Sequence, residues 1–250
     1  MGFSAFKILK EGLTGNKGWK PHWREPMLKK EYDVIIIGAG GHGLATAYYL
    51  AKEHGIVNVA VLEKGWVGSG NIGRNTTIIR SNYMLPGNQP FYEKSMQLWE
   101  GLEQDFNYNA MVSQRGILNL SHSDGQHDAY VRRGNAMHLT NSGAVLLDRA
   151  GVERMCPLLD FDNARFPIKG GIWQPRGGSV RHDAVAWGFA RGADSRGVDI
   201  IQNCEVTGFQ IENGRCIGVE TTLGNVKSKK VAMCVAGSSG ILADKAGMRL

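Results

Sequence analysis

The chain of 250 residues has only four cysteines, Cys156, Cys204, Cys216 and Cys234, widely spaced and without a CxxC pair. That spacing excludes a zinc ribbon and offers no disulfide framework, so the four are expected to be free and mostly buried thiols. Long apolar runs are also missing. No stretch approaches the roughly eighteen residues of a membrane-spanning helix. The first residues carry lysines but no continuous apolar segment and no small-residue cleavage site, so a secretory signal is not expected and the chain reads as cytoplasmic. Repeats and low-complexity tracts are absent as well.

What is present is an ordinary folding composition. Hydrophobic residues make up 42% and charged residues 21%, and the length allows one large domain or two small ones. The 34 glycines point to tight turns or to backbone lying close to a ligand. A net charge of +6 is modest and concentrates early, with Lys7, Lys10, Lys17, Lys20, Arg24, Lys29 and Lys30 against Glu11 and Glu25. Residues 1–30 show no clear periodicity and read as a basic extension that docks on something, rather than as a nucleic-acid arm.

From Glu31 the pattern sharpens. "YDVIIIGAG" is a short apolar run ending in glycines, as in a strand buried on both faces. "GHGLATAYYLAKEH" follows with Leu44, Ala47, Tyr48 and Ala51 at helical spacing, and "VNVAVLEKG" returns as a second strand. Together they make a βαβ unit. Further helices are expected over "NQPFYEKSMQLWEGLEQDF", with Phe91, Leu98, Leu102 and Phe106 inward, and over "DGQHDAYVRRGNAMHLTNSG", ending at Gly143. Shorter ones are expected before Pro157 and over "AVAWGFARGADSRG". Strands are expected at "RGILNLSHS", on both sides of an Asn213-Gly214 turn, and at "KVAMCVAGSSG" as a buried strand.

Gly38, Gly40 and Gly43 have GxGxxG spacing between the first strand and the helix. The first glycine suits a tight turn, the second lets backbone approach a pyrophosphate, and the third lets helix and strand pack closely. The helix start supplies free N–H groups and the positive end of the dipole. Glu63 ends the second strand, where a carboxylate can accept ribose hydroxyls, and it disfavours a 2′-phosphate. The motif leaves FAD and NAD both open. "GSGNIGRNTTIIRSNY" then supplies a run of small and hydrogen-bonding residues able to wrap a flavin.

On these residues, and on "YDVIIIGAGGHGLATAYYLAKEHG", "GGSVRHDAVAWGFARGA" and "VAMCVAGSSG", the chain resembles the D-amino-acid-oxidase-like flavoprotein family. Within that family it is most similar to the beta-subunit branch of the heterotetrameric sarcosine oxidases. The resemblance implies an α/β fold, a Rossmann-like FAD-binding domain with part of a mixed α+β substrate domain. It assigns residues 31–250 to the FAD-binding region, with 85–175 an inserted part of the substrate domain. Non-covalent FAD would contact Gly38, Ala39, Gly40, Gly41, His42, Gly43, Glu63, Lys64, Asn71, Arg74, Asn75, Thr76 and Ile79. Val206 would meet the adenine and Gly237 the pyrophosphate turn.

On residues alone, Arg181-His182-Asp183 starts a helix, with Asp183 complementing the dipole. The resemblance instead maps a covalent FMN, through the flavin 8α carbon, onto His182, with Arg181 beside it. The implied activity is oxidative demethylation of sarcosine to glycine, with hydrogen peroxide formed at FMN. One-carbon transfer to tetrahydrofolate would occur on a partner among the alpha, gamma and delta subunits. Family members continue through a substrate domain beyond the point where "GMRL" closes this sequence. The C-terminal half is therefore expected to be absent, and with it the substrate-binding and catalytic residues. Another FAD-dependent amine or amino-acid oxidoreductase, an NAD-dependent dehydrogenase and a non-catalytic assembly fragment are the alternatives. The remaining histidines, His22, His54, His122, His127 and His138, show no metal-ligand spacing.

Overall fold

The computed structural model describes residues 4–19, 21–83, 86–140 and 142–250. Lys20 of the basic arm, and Asn141 near the end of the second expected helix, lie outside them. The elements along the chain are α1 (Ala5–Leu13), β1 (Glu31–Ile37), α2 (Gly41–His54), β2 (Val59–Leu62), β3 (Ile78–Ile79), α3 (Gln89–Phe106), β4 (Ile117–Ser121), α4 (Asp124–Leu139), β5 (Val145–Asp148) and α5 (Arg149–Met155). There follow β6 (Gly170–Gln174), β7 (Gly178–Ser179), α6 (His182–Asp194), β8 (Asp199–Ile201), β9 (Val206–Glu212), β10 (Arg215–Thr221), β11 (Gly224–Met233) and α7 (Ser239–Lys245). The chain divides into two compact units, Met1–Asn71 with Phe189–Leu250, and Ile72–Gly188.

The first unit is built on a six-stranded sheet in the order β8-β2-β1-β11-β10-β9. Its first four strands run parallel, and β10 and β9 turn back antiparallel. The apolar run of β1 places Ile35, Ile36 and Ile37 among buried residues, as a strand covered on both faces requires. Tyr32, Ile35, Leu62, Ile201, Val219, Val226 and Leu242 share one core. In α2, Leu44, Ala47, Tyr48 and Ala51 are all buried, matching the helical spacing read from the sequence. Asn213 and Gly214 both take positive φ, the requirement of a type I′ hairpin turn. β11 departs from expectation. It starts at Gly224, with Val226 and Ser228 turned inward at alternating positions, and in the expected stretch Lys230 is exposed while Val231, Ala232 and Met233 are each half-buried, so the strand is less covered than expected.

The basic arm contains a helix that its charge density hides. Ser4 caps α1 by accepting from the Lys7 amide, while Phe6, Ile8, Leu9 and Leu13 remain exposed. Farther on, Arg24 donates to Asp194 and to the Val198 carbonyl, and Lys29 reaches the Asp199 carboxylate at 2.6 Å. Buried Asp199 also accepts from the Tyr32 hydroxyl, so the second half of the arm is tied to this unit's own sheet.

The second unit carries a three-stranded antiparallel sheet, β4-β6-β5, and the short β3-β7 ladder. β6, the central strand, was not foreseen in "GGIWQ". Added Cβ atoms at Gly170 and Gly171 would collide with the Leu147 and Asn119 carbonyls of its two neighbours, so these glycines are what let three strands close up. In α3 the inward face is Met96 and Leu102. Phe91 is 69% exposed and Leu98 37%, which corrects the expected face. α4 ends at Leu139 rather than at Gly143, because the Thr140 hydroxyl bonds back to the Ala136 and Met137 carbonyls. Of the four free thiols only Cys204 is fully buried. No described helix is long and apolar enough to cross a membrane.

Candidate functional site

In the first unit the carboxyl ends of β1, β2 and β11 lie side by side. From β1 the chain leaves through α2 to β2 on one flank, while β11 occupies the other. A parallel sheet opens a crevice at such a switch in strand order, and ligands bind outside the carboxyl ends there. The three spaced glycines meet three different constraints. Gly38 has φ +103, and a Cβ there would stand 2.6 Å from the Cys234 carbonyl oxygen. Its amide donates to the Leu62 carbonyl at 2.8 Å, fixing the turn on β2. A Cβ at Gly43 would strike the Gly38 carbonyl, so the start of α2 can approach β1 only with glycine at that position. Gly40, by contrast, faces open space within 4 Å. It is the N-cap of α2 and has no side-chain partner, which leaves the first-turn amides of Gly41 and His42 without a protein cap. An anion at this place meets N–H donors and the positive end of a fourteen-residue helix.

Glu63 follows β2 and grips the loop from below. One carboxylate oxygen accepts the Ala39 amide at 2.8 Å, and the other accepts the Gly65 amide at 2.9 Å and the Ser69 hydroxyl at 3.4 Å. A carboxylate has lone pairs for about four hydrogen bonds, so these contacts leave capacity for a ligand hydroxyl. Lys64 is exposed beside it. The next turn is secured by residues that carry no motif. Gln202 accepts the Val67 amide, and the Ala39 carbonyl accepts the Gly68 amide. Sequence reading missed Gly65, Val67 and Gln202, because a backbone clamp leaves no residue-type signature. Val206 opens the edge strand β9 and is buried. Gly237 lies in the turn after β11, with open space within 4 Å of where a Cβ would stand, and Asn71 is exposed.

The remaining expected contacts belong to the second unit. Arg74, Asn75 and Thr76 are exposed and Ile79 is buried. Asn75 shapes its own turn, donating to the Ile72 carbonyl and accepting the Thr77 amide, and Thr77 takes a φ of +63. Through the β3-β7 pairing and the Val180 amide on the Thr77 carbonyl, this loop is brought beside Arg181 and His182. That neighbourhood is invisible to sequence spacing, since about a hundred residues separate the two segments. The Arg181 guanidinium forks onto Asp183 at 2.8 and 2.9 Å, and Asp183 also accepts the Ala184 amide. The Arg181 bond holds Asp183 below its usual range and raises Arg181 in turn. His182, first residue of α6, buries its Nδ1 with no hydrogen-bond partner. A buried ring nitrogen without a partner carries a desolvation cost that a bond to a ligand would remove.

The family described as FAD dependent oxidoreductase matches residues 33–250. The chain is 70% identical over 250 residues to sarcosine oxidase subunit beta of Rhizobium meliloti (strain 1021), covering all of this chain and 60% of that one. It is 49% identical over 248 residues to sarcosine oxidase subunit beta of Rhodobacter capsulatus, covering 99% of this chain and again 60% of the relative. The chain thus spans about three fifths of the length of these curated relatives. Among solved structures it is similar to L-proline dehydrogenase from P. horikoshii, with TM-score 0.82 and 26% identity over 88% of this chain and 57% of that one. Glycine oxidase from Geobacillus kaustophilus shares the fold, with TM-score 0.78 at 22% identity over 89% and 60% of the two chains.

Proposed function

The chain belongs to the FAD dependent oxidoreductase family, and on that premise we propose that it is the flavin-bearing, beta-type part of a cytoplasmic sarcosine oxidase. The observation that carries this reading is the open, uncapped turn at Gly40, framed by glycines at Gly38 and Gly43 that backbone contacts demand. Bound FAD supplies the hydride acceptor for oxidation of the amine. The Gly38–Gly43 backbone would hold its pyrophosphate and Glu63 its ribose, with Lys64, Asn71, Val206 and Gly237 as further contacts. In the second unit, Arg74, Asn75, Thr76 and Ile79 are the proposed flavin-wrapping residues. The orphaned Nδ1 of His182 fits a half-buried imidazole awaiting a bond, and the proposed covalent FMN attaches there, with Arg181 beside it.

The chain's own residues orient and exclude water in this reading, and no acid or base is assigned. The first unit acts as the nucleotide-binding domain. Residues 85–175 form part of the substrate domain, and the first half of the basic arm, whose Phe6, Ile8, Leu9 and Leu13 stay exposed, docks on the alpha, gamma or delta partners. Sarcosine as substrate rests on the names of the relatives, whereas peroxide formation here and tetrahydrofolate chemistry on a partner rest on the resemblance to the heterotetrameric sarcosine oxidases alone. A second reading, oxidation of another amine, is favoured by the likeness to L-proline dehydrogenase. Acid precipitation of the purified protein tests the flavin assignment. Flavin absorbance is expected to stay with the pellet, and to leave it in His182→Ala. Peroxide production from sarcosine set against proline and dimethylglycine separates the two substrate readings.

A further inference from the structure

Strand β8 has three residues and pairs with β2 at the edge of the first unit's sheet, so its place depends on what grips its two ends. At its start, Asp199 is buried, and its carboxylate takes Lys29 at 2.6 Å and the Tyr32 hydroxyl at 3.2 Å. At its other end the chain is bonded to the segment that carries Glu63. The Glu63 amide donates to the Ile201 carbonyl at 2.9 Å, and the Cys204 amide to the Glu63 carbonyl at 2.8 Å. The Asn203 amide donates to the Gly65 carbonyl at 2.9 Å. These bonds are made by backbone, and they fix the main chain of Glu63 and Gly65.

Gln202 adds what those backbone bonds do not. Its side-chain oxygen accepts the Val67 amide at 2.8 Å and so holds the far half of the turn that follows Glu63. Val67 is buried, so losing this acceptor would strand its amide. The far half of the turn then reaches the Glu63 carboxylate by two routes. The Ser69 hydroxyl donates to Oε1 at 3.4 Å. The Gly68 amide donates to the Ala39 carbonyl at 3.0 Å, and Ala39 gives its own amide to Oε2 at 2.8 Å. With the Gly65 amide, three donors hold the carboxylate, and two of them depend on the turn that Gln202 secures.

We propose that Gln202 is a positioning residue for the nucleotide site, which aims the Glu63 carboxylate at a ribose hydroxyl by holding Val67. This role rests on the reading of the Gly38–Gly43 turn and Glu63 as the nucleotide site. Gln202 acts here through Glu63 and not by contact with the nucleotide. A carboxylate held by three donors keeps about one of its four lone-pair sites, and its direction decides whether a hydroxyl can use that site. Released from the turn, the same carboxylate must be ordered when the ligand binds, which weakens the bond.

Calorimetric titration of the full chain, freed of bound flavin, with ADP and with 2′,3′-dideoxy-ADP tests the proposal, because only ADP offers ribose hydroxyls. The unsubstituted protein is expected to prefer ADP about tenfold or more, the worth of a hydrogen bond to a charged group. Gln202→Met keeps the length of a half-buried side chain and removes the acceptor. It is expected to cut the preference about threefold or more. Gln202→Asn, polar but one carbon too short to reach Val67, is expected to do the same, and serves if the methionine variant fails to fold. Gln202→Glu keeps an acceptor for the Val67 amide, and its charge repels both nucleotides alike, so the preference is expected to stay. A role in stability alone would lower the melting temperature, or both affinities together, and leave the preference intact in every variant. That result overturns the positioning role, as does a glutamate variant that loses the preference as fully as the methionine one. In either case ADP still binds, and the nucleotide reading stands. Absence of ADP binding to the unsubstituted protein, even with its partner subunits, overturns that reading and the role of Gln202 with it.

Discussion

The first unit hides mostly hydrocarbon around its sheet, and its few buried polar groups, such as Asp199 and Thr221, are met by specific partners. The second unit buries Ser81, Asn82, Gln89, Ser121, Ser142 and Gln174 around a smaller sheet. In the first, aliphatic strands fix the scaffold, and glycines at one loop create room for a ligand. In the second, hydrogen bonds between side chains fix the scaffold. The Gln174 amide accepts from the Ser81 amide and donates to its hydroxyl, and Glu93 extends that chain to Arg176 and Glu100. An apolar scaffold tolerates change wherever volume is kept. A polar one tolerates it only where every donor keeps its acceptor.

The largest expected effect tests the first half of this contrast. Gly43→Ala drives a methyl group into the Gly38 carbonyl, backbone against backbone, and is expected to cost about 3 kcal/mol or more in urea unfolding. Next comes the second unit. Gln174→Leu keeps approximate volume but strands the Ser81 amide in a fully buried place, with an expected loss of about 2 kcal/mol. Gln174→Glu should recover part of it only in acid, where a protonated carboxyl again both donates and accepts.

A subtler effect separates the units by pH. Burial, with Asp199 opposite its hydroxyl, raises Tyr32 from 10.0 to about 12. Between those values the folded first unit keeps a proton that the unfolded chain has lost, so its stability falls as pH rises through that window. In the second unit, hydrogen bonds from Arg176 and Arg181 hold Glu100 and Asp183 below their ordinary range. Their contribution is present above the ordinary carboxylate pKa and fades as pH falls through it. Hydrogen exchange followed segment by segment should show the sheet of the first unit loosening first in base, and the β4-β6-β5 sheet loosening first in acid. Loss of protection in one order at both extremes would break the contrast.

The same contrast explains what could be read from the chain. "VIIIGAG", the helical Leu44-Ala47-Tyr48-Ala51 stripe and "VAVL" are one-dimensional signals, because hydrocarbon burial repeats with the period of the element. The roles of Gly38 and Gly43 followed from spacing because the strand-turn-helix pattern that demands them is local in the chain. Gln174 and Gln89 gave no signal, since a buried amide is recognised only by the partner it meets or lacks, and Gln174 meets Ser81 from 93 residues away. Helix α1 was hidden because Lys7 and Lys10 interrupt its apolar positions. β6 was hidden because its function depends on glycines that sequence reading assigns to turns. The pairing of the Asn75–Ile79 loop with the His182 segment is likewise a product of tertiary closure.

Direct titration with FAD tests the central claim most closely. Gly40 has extended backbone and open space around it, so Gly40→Val can fold as the unsubstituted protein does while filling the place proposed for the pyrophosphate. Equal far-ultraviolet dichroism and equal melting of the two proteins would establish the first point. The account predicts saturable flavin quenching on the unsubstituted chain, alone or with its partner subunits, and its loss in Gly40→Val. Undiminished FAD affinity in the folded valine variant would contradict it.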